Sequence, residues 1–280
     1  MLVFKTRAAL GSFLSKFYSA NRSIGFVPTM GALHEGHLSL IERAKSESDV
    51  VICSIFVNPT QFNDPKDLEK YPRPIEHDIQ LLEEVKCDAL FLPEVEEIYT
   101  GKEHWAIDLE GLDQILEGKT RSGHYQGVTQ VVKILFDIVA PTKAFFGQKD
   151  YQQLLVIRKM VTKLGLDVQV VMCPTVREND GLAMSSRNIR LSAIERKNAL
   201  ALYHALQLAQ SEFQVKSIPE ILEHATNYLK TSEGIDLDYF QICDGSSLEP
   251  TTDKHAASLV ALVAAQLGQI RLIDNVILKP

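Results

Sequence analysis

The chain has 280 residues, 45% hydrophobic and 23% charged, the balance of an ordinary globule with room for one large and one small domain. Its net charge of −7, with no long block of lysine or arginine, argues against nucleic acid as the main partner. No apolar run approaches the ~18 residues of a membrane helix. Cys53, Cys87, Cys173 and Cys243 are scattered without a CxxC pair, which suits reduced thiols rather than a disulfide framework or a zinc site.

In chain order, residues 2–4 read as a short strand and residues 6–19 as a helix with an apolar stripe at Leu10, Phe13, Leu14 and Phe17. Residues 1–34 contain no Asp or Glu, a composition that also suits a transit peptide. The stripe leads directly into the first strand, which favours a helix of the fold over a leader. An apolar run at 24–27 is closed by Pro28, and a small-residue turn follows at 29–33. Leu38, Leu40, Ile41 and Ala44 then have helical spacing, and residues 50–57 form a β-branched run. This is strand–loop–helix–strand, the opening unit of a parallel α/β sheet.

His34 and His37 are three apart at the start of that helix and so share a face, with Gly31 and Gly36 allowing close approach. A helix N-terminus at the carboxyl end of a strand favours anions, and imidazoles there can donate to phosphoryl oxygens. Two other readings stand beside the phosphate site. One is a metal pair, which lacks both HExxH spacing and a nearby third ligand. The other is plain capping or surface histidines.

Residues 59–74 form a loop with four prolines, and Gln61 near its start lies where an open α/β sheet places ligand groups. A helix over 76–85 leads to a strand at 89–92, and Asp78 reads as an N-terminal helix carboxylate. Residues 104–109 are expected as an edge strand, 112–117 as a helical turn and 129–139 as an apolar helix. A strand at 144–146 delivers Gly147, Gln148, Lys149 and Asp150 to the same sheet edge, where a lysine can neutralise phosphate. A helix over 151–164 and a strand at 168–172 complete this part.

Composition shifts at 173–180, and Ser185, Ser186 and Arg187 follow on a polar stretch suited to polyphosphate. Ser192 with Glu195 and Ser217 with Glu220 are capping-box patterns opening two helices. Strands are expected at 237–243, 258–267 and 270–278. The fold class is α/β: a Rossmann-like parallel sheet with helices on both faces over 1–175, plus a smaller α+β cap over 176–280.

The decapeptide Pro28-Thr29-Met30-Gly31-Ala32-Leu33-His34-Glu35-Gly36-His37 resembles the signature of the pantothenate synthetase (pantoate–β-alanine ligase) family. Its HEGH is similar to the HIGH motif of the wider nucleotidyl-transferase superfamily. The segments FVNPTQF at 56–62, Tyr71-Pro72-Arg73, residues 121–128, GQKDYQQ at 147–153 and Ser185-Ser186-Arg187-Asn188 resemble later elements of that family. Three positions depart from its pattern: His77 interrupts an acidic run, and Gln126 and Gln148 stand where relatives often carry Arg and Glu. The KMSKS lysines of the synthetases are also absent, which leaves Arg187 as that loop's cation.

The resemblance implies an enzyme that joins (R)-pantoate to β-alanine with ATP through pantoyl adenylate, releasing AMP and pyrophosphate. It implies ATP contacts from Met30, Gly31, Ala32, Leu33, His34, Glu35, Gly36, His37, Gly147, Gln148, Lys149, Asp150, Val176, Met184, Ser185, Ser186 and Arg187. His34, His37, Lys149 and Arg187 are its catalytic set, and Gln61 and Gln153 orient pantoate. Mg2+ accompanies ATP with no ligand assigned, and the family implies a cytoplasmic homodimer. Rival readings are a nucleotidyl transferase that stops at a nucleotide-linked product and an inactive nucleotide-binding regulator.

Overall fold

The computed structural model describes residues 1–63, 65–101 and 104–280, and the chain divides into two compact units. The first comprises Met1–Gly147 and Gln152–Pro174, the second Gln148–Tyr151 and Thr175–Pro280.

The first unit is built on a six-stranded sheet of β1 (Leu2–Phe4), β2 (Ile24–Thr29), β3 (Val50–Ile55), β4 (Ala89–Phe91), β5 (Lys143–Gly147) and β6 (Gln169–Cys173). Their order is β1-β4-β3-β2-β5-β6, and every pairing is parallel. All six residues of β3 are buried, as the covered strands of a parallel sheet require. From β2 the chain winds outward through β3 to β4, then returns to place β5 on the other side of β2. The order reverses between β2 and β5, and the crevice beyond their carboxyl ends is where such sheets take ligands.

The opening unit folds as its periodicity predicts, with helix Glu35–Glu47 burying Leu38, Leu40, Ile41 and Ala44. Helix Arg7–Ser19 buries Leu10 and Leu14, and the Thr6 hydroxyl caps it by accepting the Ala9 N–H at 3.3 Å. The proline-rich segment is partly helical, with a 3₁₀ turn at Pro59–Gln61 and a helix at Pro65–Glu69; Asp64 lies outside the described residues.

Residues 104–109, expected as an edge strand, form none. The Gln126 side chain takes both backbone groups of Ile107, accepting its N–H at 3.1 Å and donating to its carbonyl at 2.9 Å. A side chain thus satisfies the backbone that a neighbouring strand would otherwise pair. The helical turn expected at 112–117 lies at Leu116–Thr120, and the apolar helix starts earlier than expected, at His124.

The second unit packs helices Ala193–Asn198, Leu200–Glu212 and Ile218–Thr231 with an antiparallel sheet of β7 (Asp236–Asp244), β8 (Leu259–Leu267) and β9 (Ile270–Lys279), in that order. Both predicted capping boxes form. The core joins Leu202, Leu206, Ile221 and Leu229 of the helices to Ile242, Val263 and Leu267 of the strands. The turn Gln148–Tyr151 groups with this unit although β5 runs directly into it. Among the described residues no helix is long and apolar enough to cross a membrane.

Two glycines test this packing in opposite directions. Gly181 has φ +101°, and a Cβ there would meet the Tyr203 ring at 2.1 Å. Gly11 lies inside helix Arg7–Ser19, and a Cβ there would meet nothing within 4 Å. In denaturant unfolding, Gly181→Ala is expected to lose about 1–3 kcal/mol through overpacking and strain. Gly11→Ala is expected to gain about 0.5–1 kcal/mol from helix propensity. Equal midpoints for the two variants would contradict this packing.

Candidate active site

The loop that leaves β2 carries the densest motif, and its shape follows from a few hydrogen bonds. Thr29 Oγ1 donates to the Ser54 carbonyl at 2.8 Å and accepts the Gly31 N–H at 3.2 Å. Gly31 and Ala32 are then both left-handed, at φ +78° and +50°. Alanine pays roughly 1–2 kcal/mol for that conformation, so something must hold it there. Asp78 does so: Oδ2 accepts the Ala32 N–H at 2.9 Å and Oδ1 the Leu33 N–H at 2.7 Å.

Asp78 is fully buried in the first turn of helix Ile75–Glu84. Burial pushes its carboxyl above the usual range, and the two backbone donors and His77 oppose that. Its position as an N-terminal helix carboxylate is as expected, but its work is to clamp the loop at 31–33. A side chain at position 31 would also come within 3.0 Å of Asp78 Oδ2 and Ile55 Cγ2, so glycine fits there.

His34 caps the helix that follows, its Nδ1 accepting the Gly36 N–H at 3.2 Å. In the neutral ring this leaves the proton on Nε2. His37 lies one turn on, with the two ring centroids 4.1 Å apart. The N–H groups of Ala32 and Leu33 serve Asp78, and that of Gly36 serves His34. Imidazole side chains are therefore prominent among what this loop can offer a phosphate.

A second loop of the same unit meets the first. Asn58 is buried; its Nδ2 donates to Gln61 Oε1 and to the Gly127 carbonyl, both at 3.1 Å. Its Oδ1 accepts from Tyr99 Oη at 2.7 Å. Gln61 Nε2 then points to Met30 Sδ at 2.7 Å, joining the 58–61 turn to the histidine loop. His124 is buried with Nδ1 2.8 Å from the Gln61 carbonyl. A Cβ on Gly127 would sit 2.5 Å from the Thr60 carbonyl oxygen, so only glycine admits the turn this closely.

Gly147 ends β5, and Gln153 is half-buried in the first turn of helix Tyr151–Leu164. Its neighbour Gln152 is structural: both ends of its amide bind backbone groups of Leu112, Ile115 and Glu117.

The remaining candidates lie together in the second unit. Lys149 Nζ is 3.5 Å from Asp150 Oδ1. Val176 accepts the Met184 N–H at 3.0 Å, and the Ser185 hydroxyl accepts the Arg187 N–H at 3.2 Å. Met184, Ser185, Ser186 and Arg187 are all half-buried. His34 and His37 thus belong to one unit, and Lys149 and Arg187 to the other. Motif reasoning misses the loop clamp of Asp78 and, in the second unit, Arg177, Asp274 and Asn275, which carry no recognisable motif.

Asp78→Asn turns one of two acceptors into a donor facing a buried N–H. The expected cost is about 1–3 kcal/mol in denaturant unfolding. Glu76→Gln, two residues away and exposed, should stay within about 0.5 kcal/mol of the parent. Comparable losses in both would show that the clamp contributes nothing.

Comparison with known proteins identifies the family. The family model described as Pantoate-beta-alanine ligase matches residues 2–277. A pantothenate synthetase of Christiangramia forsetii is 47% identical over 282 aligned positions, covering 100% of both chains. The crystal structure of pantothenate synthetase from Thermus thermophilus superposes with a TM-score of 0.94 at 44% identity, again over 100% of both chains. A pantoate-beta-alanine ligase from Francisella tularensis, complexed with beta-gamma ATP and beta-alanine, gives a TM-score of 0.82 at 36% identity over 99% of this chain and 97% of that one. The chain belongs to the pantoate–β-alanine ligase family, and its activity is the ATP-dependent ligation that makes pantothenate.

Proposed function

We propose that the ligation proceeds through pantoyl adenylate at the histidine loop. The pantoate carboxylate attacks the α-phosphorus of ATP, forming the mixed anhydride and releasing pyrophosphate. The amine of β-alanine then attacks the acyl carbon, the bond to AMP breaks, and the amine proton is lost to solvent as pantothenate forms. The observation that carries this reading is the clamped loop, which sets His34 and His37 side by side at the start of a 13-residue helix. The Francisella tularensis ligase complexed with beta-gamma ATP and beta-alanine supports the same two ligands here.

Each side chain has a role that its surroundings support. His34, with Nδ1 occupied by its own helix, offers Nε2–H to a phosphoryl oxygen, and His37 donates beside it. Lys149 and Arg187 supply fixed positive charge to the phosphates, Arg187 through a planar fork. Gly147, Gln148, Asp150, Val176, Met184, Ser185 and Ser186 complete the nucleotide's surroundings. Gln61 and Gln153 orient pantoate. Asn58 fixes the Gln61 oxygen, so its Nε2–H is the arm offered to substrate. The Met30 sulfur it now meets is a weak acceptor that a pantoate oxygen readily replaces.

Magnesium belongs to the nucleotide substrate in this scheme, neutralising phosphate charge as MgATP. Among the described residues no group of three or more His, Cys, Asp or Glu could hold a metal. Both Asp78 oxygens already accept backbone N–H groups. A homodimer and a cytoplasmic location complete the proposal; four free, buried cysteines suit a reducing compartment.

Labelled pyrophosphate is expected to exchange into ATP when pantoate is present and β-alanine absent. Exchange that requires β-alanine, or ADP as a product, would overturn the adenylate scheme. His34→Ala and His37→Ala are each expected to slow single-turnover adenylation by ~10²–10³, the usual effect of removing a transition-state donor. Gln61→Ala should instead weaken pantoate use by about 0.5–1.5 kcal/mol and leave ATP binding intact in equilibrium titration. An equal loss of ATP affinity would contradict that division of labour.

A further inference from the structure

The two segments proposed to grip the phosphates, the turn at 148–150 and the loop at 184–187, are tied together by buried polar groups that no motif contains. Asn275 on β9 is 2% exposed. Its Nδ2 donates to the carbonyls of Gln148 at 3.0 Å and Lys149 at 2.9 Å, and its Oδ1 accepts from Gln148 Nε2 at 3.1 Å. Its own N–H donates to Asp274 Oδ1 at 2.7 Å. Asp274, also buried, receives Arg177 through both guanidinium nitrogens, at 2.6 and 3.0 Å.

Arg177 continues the chain of contacts toward the other segment. Its Nη1 also donates to the Gly181 carbonyl at 3.0 Å, and its guanidinium lies 4.9 Å from the centre of the Tyr203 ring. Residues 177 and 183 form an isolated antiparallel bridge. The Met184 N–H reaches the Val176 carbonyl, and Asn188 Nδ2 reaches the Ala183 carbonyl at 3.1 Å. One node, buried at Asp274 and Asn275 and half-buried at Arg177, thus holds the root of the Arg187 loop and the main chain of Lys149.

The chemistry favours such an arrangement. A lysine head group sits on a flexible stem, so its reach is set by where its backbone is fixed. A buried ion pair adds little net stability over an apolar substitute. A fully satisfied polar network does impose one geometry, because each alternative strands a buried group. We propose that Arg177, Asp274 and Asn275 are positioning residues that fix the backbone of Lys149 and the loop of Arg187 in one mutual arrangement, so that both cations are set before ATP binds. This inference rests on the phosphate roles of Lys149 and Arg187 given above.

The test is a double-mutant cycle on the full chain, read as the single-turnover rate of pantoate adenylation with MgATP. Circular dichroism confirms that each variant is folded at the assay temperature. Asn275→Ala is expected to slow adenylation about 10- to 100-fold, the scale of a small misplacement of a catalytic group. In a Lys149→Ala background the same change should cost no more than about twofold, because two residues acting as a unit are not additive. In an Arg187→Ala background it should keep most of its effect.

Asn275→Ser, whose hydroxyl can still serve one carbonyl, is expected to fall in between and carries the test if the alanine variant does not fold. Arg177→Lys keeps the charge without the fork and should also slow adenylation. A slow Lys149→Ala enzyme in which Asn275→Ala still costs its full factor would overturn the relay alone. A Lys149→Ala enzyme with the parent rate would overturn the phosphate role of Lys149, and the relay with it.

Discussion

One buried carboxylate sets the geometry on which the histidine site depends. Asp78 accepts the N–H groups of Ala32 and Leu33 at 2.9 and 2.7 Å, just after two residues held at positive φ. Successive N–H groups in such a turn form a concavity that attracts anions. Here the protein's own carboxylate fills it, with burial opposing its charge and the two backbone donors favouring it. Filling that concavity internally fixes where helix Glu35–Glu47 begins. His34 can then cap the helix, and the ring of His37 falls 4.1 Å from that of His34. Gln61 is placed by an analogous device, a buried Asn58 that holds its amide oxygen.

The second unit follows the same logic with different groups. Half-buried Arg177, paired with buried Asp274, and buried Asn275 hold the main chain of Lys149 and the root of the Arg187 loop. A carboxylate buried as Asp274 is would be costly without its partners. In both units a buried polar residue positions an exposed or half-buried one that is proposed to meet substrate.

Much of this is legible in the residues themselves. Continuous apolar runs at 24–27 and 50–57 announce parallel strands, and the spacing of Leu38, Leu40, Ile41 and Ala44 announces the helix between them. Both capping boxes appear where Ser192 and Ser217 precede a glutamate by three. Contacts distant in sequence are illegible. Asp78 reaches its loop across 45 and 46 residues, and Asn275 reaches Lys149 across 126, so local periodicity carries no trace of either. Residues 104–109, expected as an edge strand, do alternate between exposed and more buried positions, yet pair with no strand among the described residues. The side chain of Gln126, on a helix later in the chain, supplies the partner that a strand would have given. Lys149 follows β5 directly in sequence, yet its turn groups with the second unit through hydrogen bonds formed far along the chain.

Asp78 locks the histidine loop, and amide hydrogen exchange reads that lock residue by residue. The Ala32 and Leu33 N–H groups lie in a loop, where unprotected amides exchange quickly. If the carboxylate holds them, both should exchange as slowly as the amides of β2, and in Asp78→Asn both should lose far more protection than the β2 amides, which lose only what the lower global stability removes. Rapid exchange of Ala32 and Leu33 in the parent protein would contradict the account.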